Sequence, residues 1–227
     1  MTNEFTASEI SSIYRVIAER RDARHFVPGA VDEATLLRLL TAAHQGPSVG
    51  LMQPWRFIRI QNRLLRDQIQ ALVEEERQLT AAALGERGDE FMRLKVEGIK
   101  ECGELLVVAL MDRREHHIFG RRTLPAMDLA SVACAIQNMW LASRAEGIGM
   151  GWVSLFDPTR LGAVLHMPAG AQPVAVICLG HVAAFYAKPM LEQEGWAQRR
   201  DLNDLVSVDY WSDCGPESGQ VPVATPG

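Results

Sequence analysis

Leu105-Leu106-Val107-Val108-Ala109-Leu110-Met111 is the longest uninterrupted apolar run in this chain of 227 residues. Its length is that of a strand. The missing alternation of apolar and polar residues predicts a strand covered on both faces. A bilayer-spanning helix needs about 20 apolar residues, so a run this short predicts no membrane span. Outward toward the N-terminus, residues 87–103 read as a loosely patterned helix and residues 62–84 as a charged amphipathic one. Residues 55–61 alternate and read as a strand. Pro47, Gly50 and Pro54 break the chain before it. A helix is predicted over 32–45, with Asp32 as N-cap and Leu36, Leu37, Leu39 and Leu40 as its buried stripe. Another is predicted over 9–19, where Ile10, Ile13, Tyr14 and Ile17 recur at helical spacing.

Outward in the other direction, residues 113–123 are polar, basic and aperiodic, as in a loop or lid. Residues 127–145, between Pro125 and Gly147, carry the strongest helix pattern. Met127, Leu129, Val132, Ile136, Met139, Trp140 and Leu141 lie nearly all round it, which places it in a core or at a subunit interface. Residues 151–156 and 173–180 read as strands, and 158–165 as a short helix. Strands separated by helices without regular alternation predict an α+β domain over residues 1–213. Residues 214–227, with Pro216, Gly219, Pro222 and Pro226, read as a flexible tail.

The apolar fraction of 48% and charged fraction of 22% are those of a globular protein. A net charge of −5 weighs against a nucleic-acid partner. Cys102, Cys134, Cys178 and Cys214 make no CxxC pair, and the first three sit among apolar residues and read as core. With no basic-then-apolar leader at the start, they suit a cytoplasmic protein. His25, His44, His116, His117, His166 and His181 form no HExxH and no zinc-ligand spacing, so no metal is expected.

Three stretches concentrate chemistry. Arg20-Arg21-Asp22-Ala23-Arg24 sets three guanidiniums around one carboxylate, a credible cradle for a phosphate or an anionic ring. Arg20 and Arg24 would share a face if the helix continued through them. Among three cations, Asp22 is expected to have a lowered pKa and to be ionised. A solvated, charged helix end is the other reading, and spacing alone favours it. Gly46-Pro47-Ser48-Val49-Gly50-Leu51-Met52-Gln53-Pro54-Trp55-Arg56-Phe57 offers glycines for close approach, and Ser48 and Gln53 as hydrogen-bonding groups. It also reads as a tight connection that buries Trp55. Gly147-Ile148-Gly149-Met150-Gly151-Trp152-Val153-Ser154 follows a helix instead of opening one and lacks GxGxxG spacing. It therefore reads as a helix stop and a close backbone approach, not a dinucleotide fingerprint. Ser154 has no GxSxG context, so a serine hydrolase is not indicated.

Together these stretches resemble the flavin-binding nitroreductase-like superfamily. Arg-Arg-Asp-Ala-Arg-His-Phe is similar to its RRSxRxF phosphate motif, Pro-Ser-Val-Gly-Leu-Met-Gln-Pro-Trp-Arg-Phe to its PSxxNxQPWxF segment, and Ala-Glu-Gly-Ile-Gly-Met-Gly to its AxxxG[LI]G stretch. The resemblance spans residues 12–205. Asp22 in place of Ser, Gly50-Leu51-Met52 in place of the Asn-containing triplet, and Ser154 depart from ordinary nitroreductases. These departures resemble the BluB-type, or 5,6-dimethylbenzimidazole synthase, subfamily. So do residues 127–129, 136–142 and Gly195-Trp196-Ala197-Gln198-Arg199.

The resemblance implies an FMN-binding α+β fold, a central and mostly antiparallel sheet flanked by helices, and a homodimer with C-terminal exchange and flavin sites at the interface. It implies that reduced FMN is a substrate. Dioxygen adds to the flavin, which is fragmented to 5,6-dimethylbenzimidazole, the lower ligand of vitamin B12, and erythrose 4-phosphate. No metal takes part, and a separate NAD(P)H flavin reductase would supply the reduced FMN. Asp22 and Ser154 match the family's catalytic pair. Arg20, Arg21, Asp22, Ala23, Arg24, Ser48, Val96, Ser154 and Arg199 are the implied FMN contacts, under a lid at about 87–123. The alternative is a conventional FMN-dependent NAD(P)H nitro- or quinone reductase that returns its flavin intact.

Overall fold

In the structure, a computed structural model that describes residues 4–211, the apolar run forms the inner strand β2 (Glu104–Leu110), and every residue of it is buried. It pairs antiparallel with β1 (Trp55–Arg59) on one side and β4 (Gln172–Gly180) on the other. β3 (Gly149–Val153) pairs antiparallel with β4, giving the order β1-β2-β4-β3 and leaving β1 and β3 at the edges.

Because successive side chains of a strand point to opposite faces, β2 feeds two cores. Leu106, Val108 and Leu110 meet helices α2 (Glu33–His44) and α5 (Met127–Ala145) through Leu36, Leu39, Val132, Ile136 and Met139. Leu105 and Val107 face the other way, onto Ile69 and Val73 of α3 (Arg63–Ala83) and Leu161 of α6 (Pro158–Val164). Each fully buried side chain of this size contributes about 1.5–3 kcal/mol, so both layers are needed to hold the sheet. Four of the described α-helices start at side-chain caps. Asp32, Asn62 and Asp157 each accept a backbone N–H in the first turn, and Thr6 with Glu9 forms a reciprocal capping box on α1 (Ala7–Glu19).

Several expectations change, the first at Leu37, which stands exposed on α2 while Leu36 and Leu39 are buried. Residues 87–103 are not one helix. α4 spans only Gly88–Arg93, and Gly98 and Gly103 then sit too close to Arg24 and Gly29 backbone oxygens for a side chain. The segment 87–123 is likewise not a single lid, because β2 occupies its middle. Residues 112–126 on the far side of β2 pack at Phe119 and Gly120 on the turn at Val49 and Gly50. Finally, α5 is buried on one face only. Met127, Leu129 and Cys134 lie on its exposed face, so Cys134 is not a core residue. α1 buries none of its residues, and Ile10, Ile13, Tyr14 and Ile17 all face solvent. The residues read as a tail, 214–227, lie outside the described residues.

Candidate active site

α1 ends at Glu19, and Arg20 already has extended backbone (φ −60°, ψ 132°). Arg20 and Arg24 therefore do not share a helical face. The chain instead runs as a short strand alongside β3, with an isolated bridge from Asp22 to Met150 and the Ala23 N–H donating to the Met150 carbonyl at 2.9 Å. The glycines of β3 permit this approach. A Cβ on Gly151 would stand 2.3 Å from the Ala23 carbonyl oxygen, and one on Gly149 would be 2.4 Å from Val182 and 3.1 Å from the Ala23 side chain. Gly147, with φ +73°, ends α5 just before them. The Gly147–Gly151 stretch is thus a helix stop followed by a close backbone approach.

This approach fixes Asp22. Its Oδ1 accepts the Trp152 N–H at 2.9 Å, and its Oδ2 accepts from Arg24 Nη2. Arg24 Nη2 also donates to the Trp152 carbonyl at 2.8 Å, so one guanidinium ties the carboxylate to β3. The Arg24 side chain is 10% exposed, and its Nη1 is buried with no hydrogen-bond partner among the described residues. Nη1 is packed against β3, where a Cβ on Gly151 would stand 3.1 Å from it, so it braces the strand and does not open onto the cavity.

The expected lowering of the Asp22 pKa is reversed. Loss of solvation raises it above the ordinary carboxylate value, against the opposing pull of Arg24, the Trp152 N–H and Arg20. Three nearby arginines were expected to dominate, but only Arg24 is in contact, and its charge is shared with a carbonyl. The Asp22 side chain remains 39% exposed, entirely consistent with a group at the wall of a cleft and not one sealed in a core. Filling the cleft with an apolar ring would push the pKa further in the same direction.

The cleft is a cavity of about 190 Å³ lined by Asp22, Arg24, Phe91, Leu94, Val96, Trp152, Val153, Ser154, Leu155, Met190, Leu191 and Trp196. Of the residues singled out in the sequence, it gathers Asp22, Arg24, Val96 and Ser154. Ala23 is buried directly behind it. The others are not in its wall. Arg20 stacks its guanidinium 4.3 Å from the Trp140 ring centroid, close enough for its charge to bear on Asp22 and to feel that of Arg199. Arg21 donates to the Ala18 and Arg20 carbonyls, both at 2.7 Å, and to the Ala187 carbonyl at 3.0 Å, binding the C-terminal segment down. Arg199 is exposed near Glu192. Ser48 accepts the Gln53 N–H at 3.1 Å, inside a turn where Leu51 (φ 52°) and Gln53 (φ 49°) adopt left-handed backbone. That turn borders a separate open groove of about 510 Å³ beside β1, lined by residues including His44, Gln53, Trp55 and Arg56.

Of the cavity's apolar walls, Phe91, Met190 and Leu191 carried no local signal, since an apolar lining residue looks like any core residue in sequence. A flat apolar ring with polar edges fits this site: apolar walls, one carboxylate and one exposed hydroxyl. Among the described residues, no three His, Cys, Asp or Glu side chains are grouped as for a metal ion. No described helix is long and apolar enough to cross a membrane.

Residues 17–181 match the model of the nitroreductase family, and the chain belongs to that family. The 5,6-dimethylbenzimidazole synthase of Rhodospirillum rubrum is 40% identical over 80% of this chain and 87% of its own length. That of Rhodobacter capsulatus is 34% identical over 86% of this chain and 95% of its own. Within the nitroreductase family, the chain's place is therefore in the 5,6-dimethylbenzimidazole synthase group. The crystal structure of a BluB-like flavoprotein from Clostridium difficile 630 superposes with a TM-score of 0.68 over 87% of this chain and 99% of its own, at 17% identity. At that identity the likeness shows the fold alone, an α+β fold with an antiparallel sheet.

Proposed function

We propose that this enzyme consumes reduced FMN and dioxygen, releasing 5,6-dimethylbenzimidazole from the ring system and erythrose 4-phosphate from the ribityl tail. The observation that carries this reading is Asp22: a carboxylate held by Arg24 and the Trp152 N–H at the wall of an apolar cavity that it shares with Ser154. The names of the Rhodospirillum and Rhodobacter relatives support it. When bound, reduced FMN supplies the carbon framework of the product and electrons for dioxygen.

Asp22 accepts a proton from the substrate. Loss of solvation raises its pKa and makes it a stronger base than an ordinary aspartate, the direction a general base needs. Arg24 keeps the carboxylate oriented. Ser154, exposed at the cavity wall, positions the reacting edge with its hydroxyl. Backbone around Ala23 and Val96 lines the ring, while Arg20 and Arg199, with Arg21 beside them, supply positive charge for the phosphate.

The cavity of one chain is small, and Ser48 stands apart from it. We infer a homodimer in which Ser48 of the partner subunit completes each site. The unpartnered apolar faces of α1 and α5 support this, as do exposed Leu202, Val206, Val208, Tyr210 and Trp211, which suit C-terminal exchange. Residues 185–196 pack on their own chain, through Arg144 over Phe185 and Arg87 over Trp196, so an exchanged segment would begin beyond them. Reduced FMN would come from a separate NAD(P)H-dependent flavin reductase. The test is to mix the protein with chemically reduced FMN in air and search for dimethylbenzimidazole by mass spectrometry. Its appearance is expected. Repeated NAD(P)H turnover with intact FMN would mean a conventional reductase.

A further inference from the structure

Two chain segments with no sequence proximity roof the cavity, and one cation joins them. The first is the corner between α3 and α4. Gly85 turns it with φ +56°, and Gly88 lies so close to α3 that a Cβ would stand 2.5 Å from the Ala81 carbonyl oxygen. This corner puts Arg87 at the rim and Phe91 and Leu94 in the cavity wall. The second is the strap around α7 (Met190–Gln193). It ends in a Schellman turn: Gly195 has φ +72°, the Trp196 N–H donates to the Leu191 carbonyl at 2.9 Å, and the Gly195 N–H donates to the Glu192 carbonyl at 3.3 Å. The turn throws Trp196 back over the cavity beside Met190 and Leu191.

The two segments meet at Arg87. Its guanidinium carbon lies 3.7 Å from the Trp196 ring centroid, and its Nη2 donates to the Trp196 carbonyl at 3.1 Å. Glu90 holds the same guanidinium from the other side at 3.0 Å, and Phe91 leans on the indole with ring centroids 6.0 Å apart. A planar cation that stacks on a ring and bonds the backbone of the same residue is a directional joint that lysine cannot reproduce.

We propose that Arg87 is a positioning residue that latches the strap to the α3–α4 corner through Trp196, and that this latch sets how much reduced FMN becomes dimethylbenzimidazole. The proposal rests on the function given above. Exclusion of water decides the outcome, because reduced FMN in a wet site has a competing path. It passes two electrons and two protons to dioxygen, giving oxidised FMN and hydrogen peroxide. A closed roof disfavours that path.

The experiment pairs hydrogen exchange on the ligand-free protein with product analysis after reduced FMN and air, for wild type, Arg87→Ala, Arg87→Lys, Trp196→Ala and Trp196→Phe. Arg87→Ala should speed exchange in residues 186–199, which it does not adjoin in sequence, by roughly 5- to 30-fold. Trp196→Ala should do the same to residues 84–94. Both should raise the peroxide-to-dimethylbenzimidazole ratio, Arg87→Lys nearly as much, and Trp196→Phe, which keeps a ring and the carbonyl, should bring exchange in residues 84–94 back close to wild type. Unchanged strap exchange in Arg87→Ala would overturn the latch. So would an unchanged product ratio while wild type makes dimethylbenzimidazole. If wild type makes none, the functional reading fails and takes the product claim with it, and the exchange data still judge the joint.

Discussion

Residues 20–24 and residues 46–57 both look like ligand loops in sequence, yet the chain treats them differently. The first is pulled straight against β3 and packed so tightly that Gly151 has no room for a methyl group. Its carboxylate and one guanidinium enter a cavity. The second is a strained turn whose serine bonds its own backbone and whose neighbours face an open groove. The first segment is a finished wall. The second is covered in part by its own chain, at Phe119, Gly120 and Ser131, and stands apart from the cavity. On the proposed function, one chain would hold the acid–base part of the site and a second copy would complete its binding surface.

Damage to the finished wall should be most severe at Asp22. Asp22→Asn keeps shape and hydrogen-bonding reach but cannot take up a proton, and loss of a general base costs about 10²–10⁴-fold in rate. Anaerobic titration with reduced FMN should show binding largely kept, while product formation collapses. Loss of binding in step with activity would make Asp22 a mere contact.

Gly151→Ala tests whether the wall depends on backbone approach. The added methyl would collide with the Ala23 carbonyl, an obstacle that cannot rotate away. Overpacking of this kind costs about 1–3 kcal/mol, read as a lower midpoint in denaturant, and it should displace Asp22 and lower activity in parallel. A variant of wild-type stability and activity would show that the segment is loosely held.

Ile17→Asp probes the unfinished surface. Ile17 is 49% exposed in the single chain, so the substitution should leave the fold intact. At a buried dimer face it would strand a charge and weaken association by about tenfold or more, visible by sedimentation as dissociation on dilution. Unchanged association would remove α1 from the interface.

The smallest effect concerns pH. Asp22 acts as a base only when ionised, so product formation should fall as pH drops, and the raised pKa places that fall above the range of an ordinary aspartate. By linkage, a carboxyl whose folded pKa is raised favours the fold at low pH. That contribution is lost as pH rises through the folded value, the reverse of a salt-bridged aspartate. Asp22→Asn should abolish both trends, measured as activity and as denaturation midpoint against pH.

Much of this was legible in the sequence, for definable reasons. The apolar run of β2 has the length and the missing alternation of an inner strand, and Asp32 and Pro125 announce the helices that follow them. Asp22 and Ser154 were readable as a pair through resemblance, and the structure places both on one cavity. What was not legible depends on tertiary packing. Nothing local shows that residues 20–24 leave the helix to pair with β3, so the sign of the Asp22 shift was misread by counting charges instead of contacts. Residues 87–103 have helical composition, but Gly98 and Gly103 are needed where backbones touch. Trp196 and Arg87 lie 109 residues apart, and no pattern in either segment points to the other.

The most direct test uses reduced FMN carrying carbon-13 in its dimethylbenzene ring, bound without oxygen and then exposed to air in a single turnover. The label is expected in 5,6-dimethylbenzimidazole for wild type, and in oxidised FMN with hydrogen peroxide for Asp22→Asn. Label returning quantitatively as oxidised FMN from the wild-type protein would contradict the account.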